Sequence, residues 1–263
     1  MAEQEDPGSP ALLDAGTSEP APVIDLQRNL RGYRRLARFY DLLAVPPLIA
    51  RQRREAVAQL ALPRGGSVLD LGCGTGLSLT PLVAAVGPDG RVVGVDLSPD
   101  QLARARRRVE AAGWTNVLLI EANAEELALN ESFDGILSTY THDIMTSRRA
   151  IGRAVRHLKP GGRFVAVGFK RPTGWSAPLN LLVKAFYTAL RIPIQWDRET
   201  SRRPWAYPEE LLGPLDVRER FGGLWYEAVG VKLSGAAEGA RSLQRRRSGA
   251  VRAVTARSDE RVN

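Results

Sequence analysis

The stretch VLDLGCGTG, residues 68–76, decides how this chain folds. A short apolar run broken only by Asp70 ends in three glycines at alternate positions, Gly72, Gly74 and Gly76. The run has the length of a buried strand, and glycines directly after it let the backbone turn tightly and let a ligand approach the main chain. The spacing is G-x-G-x-G. The dinucleotide fingerprint is G-x-G-x-x-G, and Leu77 stands where its third glycine would fall. An acid two residues before the first glycine is poorly placed against a pyrophosphate and suits a cationic group.

Downstream, further short apolar runs alternate with helical periods. RVVGVDLS (91–98), NVLLIEAN (116–123), FDGILSTY (133–140) and GRFVAVGF (162–169) read as strands two to five. Nearly continuous apolar strands separated by helices predict a parallel sheet covered on both faces. Residues 98–113 read as a helix with Ser98 as N-cap, Pro99 at its first position, Gln101 closing a capping box and Gly113 ending it left-handed. Residues 147–158 place Ala150, Ile151, Ala154, Val155 and Leu158 on one helical face, and Lys159-Pro160-Gly161-Gly162 turns the chain into strand five. His157, in the last turn, is read as structural, its positive charge favoured by the helix dipole. Residues 215–232 read as two strands around Gly222-Gly223, a closing antiparallel hairpin. The fold expected is α/β: a doubly wound, seven-stranded, mostly parallel sheet with that hairpin and a helical lid.

The chain has 263 residues, one cysteine and a net charge of +8. One cysteine excludes an intrachain disulfide framework. Residues 1–27 carry six acids and no base, which is unlike a secretory signal, and are expected to form a disordered acidic tail. Residues 233–263, with seven Arg against three acids, are expected to form a disordered basic tail. The domain then spans 28–232, with cap helices over 28–62 and a helical substrate lid over 172–210. In the cap, Leu30, Tyr33, Leu36, Ala37, Tyr40 and Leu43 share a face apart from Arg31, Arg34, Arg35 and Arg38. Such a basic amphipathic helix can cover the sheet, the favoured use, or lie on a membrane surface. The longest apolar stretch, 177–194, is interrupted by Asn180, Lys184 and Arg191, so no spanning helix is expected. A cytoplasmic location is expected.

Asp96 ends strand two, 20 residues past Gly76, where an acid can accept hydrogen bonds from a ribose. Asp70-x-Gly-x-Gly-x-Gly, Asp96, the LKPGG string (158–162) and the terminal hairpin together resemble a class I S-adenosylmethionine-dependent methyltransferase, over roughly residues 30–232. Tyr40-Asp41 before the glycine loop is similar to the group that includes quinone-biosynthesis and small phospholipid methyltransferases. The resemblance implies a Rossmann-like sheet and S-adenosyl-L-methionine as cofactor. It implies that Asp70, Gly72, Cys73, Gly74 and Gly76 hold the methionine end, Asp96 the ribose, and Leu97 the adenine face. Asn123-Ala124 stand where the family usually has Asp-Ala at the adenine amino group; the amide carbonyl of Asn123 still accepts a hydrogen bond. Thr139 falls beside the amino-acid moiety, and Tyr40 forms a lid. Cys73 is otherwise read as a small packed side chain.

The loop after strand four, THDIMTS (141–147), borders the acceptor site in this resemblance. His142 is the candidate general base, with Asp143 orienting it; a loop histidine that merely packs is the alternative. Tyr140 lines the pocket or takes part in the chemistry. Trp175, Phe186, Tyr187, Trp196 and Trp205 suit an aromatic or apolar acceptor, or are packing. No metal site is expected. The function expected is methyl transfer to an N, O or C nucleophile of a small, aromatic or apolar molecule. The alternative is a phospholipid or lipid-quinone methyltransferase at a membrane surface. Further alternatives are a non-catalytic cofactor- or nucleic-acid-binding protein and an NAD-dependent enzyme; a DNA amino-methyltransferase is disfavoured because Ser138-Thr139-Tyr140-Thr141 lacks the acceptor motif for nucleobases.

Overall fold

The computed structural model describes residues 47–171, 181 and 202–234. Both expected tails, Tyr40, and Trp175, Phe186, Tyr187 and Trp196 of the expected lid lie outside the described residues. Helix α1 (Pro47–Gln59) precedes β1 (Ser67–Leu71), α2 (Leu79–Val86), β2 (Arg91–Asp96), α3 (Pro99–Ala112), β3 (Val117–Glu121) and β4 (Phe133–Thr139). Then follow the short α4 (His142–Met145), α5 (Arg148–Arg156), β5 (Leu158–Phe169), α6 (Ala206–Leu212), β6 (Asp216–Arg220) and β7 (Trp225–Val231). No described helix is long and apolar enough to cross a membrane.

The described strands form one seven-stranded sheet, order β3-β2-β1-β4-β5-β7-β6. The first five run parallel, and β7 pairs antiparallel with both β5 and β6. The second strand of the hairpin, not the first, therefore joins β5, with Phe169 opposite Trp225.

Alternation along the strands sends apolar side chains to both faces. Leu69, Leu71, Val93, Ile136, Phe164 and Ala166 pack with Ile151 and Ala154 of α5 and with Leu212 of α6. Val68, Val92, Leu137, Val165 and Val167 pack with Ala56 and Val57 of α1, Leu60 just after it, Leu79 and Leu82 of α2 and Ala105 of α3. Asp70 follows Val68 by two residues, so the same alternation turns its carboxylate toward the α1 face.

Helix α3 begins at Ser98, whose hydroxyl accepts from the Gln101 N–H at 3.4 Å, and ends at Gly113 with φ 67°. The expected capping box is only half made: the Ser98 N–H donates to Asp96 Oδ1 at 2.9 Å, not to Gln101. The LKPGG string also differs from expectation. It lies inside β5, where the register against β4 shifts and Gly161, at φ 79°, donates its N–H to Lys232 O. His157 is structural, but through hydrogen bonds rather than helix-dipole charge. Its Nε2 accepts from the Leu129 N–H at 3.3 Å and its Nδ1 lies 3.2 Å from Glu131 O, a pairing that one ring proton satisfies.

Candidate active site

Parallel strands deliver their carboxyl ends to one edge, where the loops after β1, β2 and β4 meet. At the end of β1 lies Asp70, with no exposed surface and neither carboxylate oxygen hydrogen-bonded. An unsatisfied buried carboxylate is costly. Burial pushes its pKa from 3.8 up to about 7, against the pull of Arg53 and with a smaller push from Asp96. Arg53, on α1, is itself 6% exposed and stacks over the Tyr140 ring at 4.9 Å.

The three glycines all have positive φ, 75°, 55° and 80°, but they meet different surroundings. A Cβ at Gly72 would come within 2.4 Å of Thr141 Cγ2, and one at Gly76 within 2.7 Å of Leu79 Cδ1. These two glycines let α4 and α2 pack against the loop. At Gly74 a Cβ would meet only Gln101 Oε1, at 4.0 Å. Gly74 is thus the point of the loop that leaves room for a ligand.

Asp96 ties the two loops together: Oδ2 accepts from the Gly74 N–H at 2.8 Å and Oδ1 from the Ser98 N–H at 2.9 Å. Burial raises its pKa, and the backbone N–H groups of Ser98, Gly74 and Leu97 hold it back. Each oxygen keeps a lone pair for a further donor. Leu97 beside it is half-buried. Asn123 caps the short turn Ala124–Glu126, its Oδ1 accepting from the Glu125 N–H at 3.0 Å, and Ala124 turns its methyl group into the core. Cys73 is buried, its Sγ 3.0 Å from where a Gly94 Cβ would stand, and burial pushes its thiol up, so it is a packing residue and not a nucleophile.

Thr139 is buried, with its hydroxyl 3.3 Å from that of Ser78. Tyr140 follows at φ 59°, a left-handed conformation uncommon for a side chain of this size. That bend carries its hydroxyl to Gln52 Oε1 on α1, at 2.5 Å, and lays its ring against Phe169 at 5.3 Å. In this structure the Tyr140 hydroxyl proton is donated to Gln52. His142 opens α4, whose Thr141 and Ile144 lean on Gly72. Burial lowers the His142 pKa, and the opposing effect of Asp143 is smaller. Asp143 is exposed and follows His142 directly in α4, so its charge reaches the imidazole as a neighbour rather than from the same helical face.

Sequence reasoning missed Gln52, Arg53 and Gln101. The two α1 residues lie in a basic run, Arg51–Arg54, whose local pattern does not single out the buried arginine. Gln101, buried with its Oε1 unpaired beside Gly74, reads in sequence as the partner in a capping box. Among the described residues no cluster could hold a metal ion.

Comparison with known proteins matches residues 68–162 to a methyltransferase domain family. The chain is 33% identical over 185 residues to the demethylmenaquinone methyltransferase of Symbiobacterium thermophilum, covering 66% of this chain and 72% of that protein. It is 33% identical to the protein of the same name from Shouchella clausii and 31% to that from Listeria welshimeri, and the match spans only about half the length of each, 52% and 56%. Those matches cover 46% and 49% of this chain. Among solved structures, an S-adenosylmethionine-dependent methyltransferase from Aquifex aeolicus aligns with TM-score 0.53 and 18% identity, over 69% of this chain and 89% of its own. A Haemonchus contortus N-methyltransferase in complex with phosphomonomethylethanolamine and S-adenosylhomocysteine aligns with TM-score 0.58 and 17% identity, over 78% and 57%. At those identities the two structures establish the fold alone.

Proposed function

The chain belongs to the class I S-adenosylmethionine-dependent methyltransferases, the family of its demethylmenaquinone methyltransferase relatives, and from that premise we propose that it methylates the ring of a lipid-borne quinol. The observation that carries the acceptor assignment is the match to the Symbiobacterium protein over 72% of that protein's length. The aromatic wall beside the glycine loop, with Tyr140 against Phe169 at 5.3 Å, supports it. Of the two acceptor settings the sequence left open, this is the lipid-quinone one. The enzyme is read as cytoplasmic, meeting its acceptor at a membrane surface.

Bound at this site, S-adenosylmethionine supplies an electrophilic methyl group. The residues present fit it: a buried carboxylate lacking partners awaits a cation, and Gly74 leaves room beside it. In this reading Asp70 holds the ammonium and Arg53 the carboxylate of the amino-acid end. Asp96 uses its remaining lone pairs for the ribose hydroxyls, Leu97 packs on adenine, and Asn123 accepts from the adenine amino group with the second lone pair of its carbonyl. Gln101 adds a free acceptor above Gly74. Thr139 borders the amino-acid end through its main chain. His142, kept neutral by burial, takes the hydroxyl proton that makes the acceptor ring nucleophilic. Positioning of acceptor against donor supplies the larger share of the acceleration.

The reading is tested by incubating the protein with isotope-labelled S-adenosylmethionine and demethylmenaquinol in detergent micelles. The expected product is the quinol carrying one labelled methyl group. Labelled phosphatidylethanolamine, or a labelled soluble catechol with no labelled quinol, would replace the acceptor assignment. Replacing Asp96 by Ala is expected to weaken S-adenosylhomocysteine binding about 10- to 100-fold, since charge-assisted hydrogen bonds are worth about 1.5–3 kcal/mol. Calorimetry checks this, and unchanged affinity would refute the ribose role.

A further inference from the structure

From Tyr140 a continuous file of aromatic rings runs away from the glycine loop along the α1 face. Tyr140 and Phe169 have centroids 5.3 Å apart, Phe169 and Trp225 5.4 Å, and Trp225 meets Phe221 edge-on at 4.8 Å. Sheet register creates the file: β4 and β5 end side by side, and Trp225 stands opposite Phe169 across the antiparallel pair. The file ends at the β6–β7 turn. Two of its rings are open to solvent, Phe169 at 37% and Phe221 at 57% exposed.

Two features make this file more than core packing. Phe221 occupies the left-handed region at φ 54°, followed by Gly222 and Gly223 at 64° and 80°. A bulky aromatic is thus held in a costly conformation and left exposed, although two glycines adjoin it. The second is the buried indole N–H of Trp225, which has no hydrogen-bond partner, so the packing around this ring leaves a donor unsatisfied. Charged side chains border the file: Arg53 lies over the Tyr140 ring at 4.9 Å, Arg220 pairs with Glu55 at 3.8 Å, and Lys170 with Glu219 at 3.0 Å.

We propose that the file Tyr140–Phe169–Trp225–Phe221 is the track for a linear apolar chain of the methyl acceptor, an isoprenoid chain that leaves the transfer point and emerges over Phe221. The inference rests on the lipid-quinol reading and deepens it. A run of tilted rings gives a flexible chain a long apolar contact without demanding one conformation. A chain emerging at an exposed aromatic can remain partly in the membrane while its ring reaches the cofactor.

Equilibrium dialysis of radiolabelled farnesol, a prenyl chain without a quinone, tests the track directly. The full-length protein is expected to bind it. Phe221→Ala and Phe169→Ala are expected to bind about tenfold more weakly, the loss of one aromatic contact, and Phe221→Leu is expected to keep most of the affinity. S-adenosylhomocysteine affinity, measured on each variant, verifies that the fold is intact. In methyl transfer, the preference for long-chain over short-chain demethylmenaquinol is expected to fall by a similar factor in both alanine variants. Farnesol binding that is absent in the wild type, or equal in all variants, overturns the track. So does a concentration-dependent dimer abolished by Phe221→Ala, which would make the file a contact between copies. Farnesol binding lost in the variants, with no quinol methylated by the wild type, upholds the track and refutes the quinol acceptor.

Discussion

Asp70→Asn is expected to bind S-adenosylhomocysteine about 10²–10³-fold more weakly than the wild type and yet to be the more stable protein at pH 8. Both effects come from one carboxylate. Asp70 has no exposed surface and no hydrogen bond to either oxygen, and its pKa stands at about 7 rather than 3.8. Between those values the native state keeps a proton that the unfolded chain has released. Stability from this group is full below pH 3.8 and is lost as pH rises through about 7. The rise from 3.8 to about 7 corresponds to about 4 kcal/mol lost at alkaline pH. Asparagine cannot ionise, so the ligand-free variant should melt higher than the wild type at pH 8. The gap should close toward acid pH. For binding the sign reverses: removing one partner of a buried ion pair costs about 3–5 kcal/mol. Wild-type affinity should also rise about tenfold per pH unit toward pH 7 and then level off, as the carboxylate must be ionised to meet an ammonium. Calorimetry and thermal melting across pH check all three. A variant that binds normally, or that is destabilised at pH 8, would remove Asp70 from the site.

His142→Gln is expected to lower kcat about 10²–10⁴-fold, the usual contribution of a positioned base, with S-adenosylhomocysteine affinity within about twofold of the wild type. Burial lowers the His142 pKa below its ordinary 6.5, so at saturating cofactor and acceptor kcat should fall only as pH drops through that depressed value. The kcat/KM for cofactor should instead turn near pH 7, where Asp70 ionises. Two limbs at different pH separate the two residues. A kcat profile unchanged in shape in His142→Gln would assign the imidazole to packing.

Much of the fold was legible in local pattern. The strand periods and the Gly113 stop need only neighbours in sequence. Asp96 was also legible, since a strand end 20 residues past a glycine loop is a fixed place in a βαβ unit. Two local patterns read otherwise in the fold. The Ser98 N–H goes to Asp96, two residues back, whose other oxygen holds the Gly74 N–H, and the LKPGG string is drawn into the sheet by Lys232, about 70 residues away. Only the second competitor is distant in the chain; the first wins because its carboxylate is fixed between two loops.

By itself the sequence determined the βα order, the glycine loop and the acid that precedes it, because spacing of 2 and 3.6 and the conformational freedom of glycine act over a few residues. Only the tertiary structure decided that Arg53, among its basic neighbours, is the buried one, and that Gly74, of three glycines, is the one facing open space. It alone placed β7 between β5 and β6, and so set Trp225 beside Phe169 and built the aromatic file. Burial depends on what packs from above, and Tyr140 is held by Gln52, 88 residues upstream. No local pattern encodes a contact across that span.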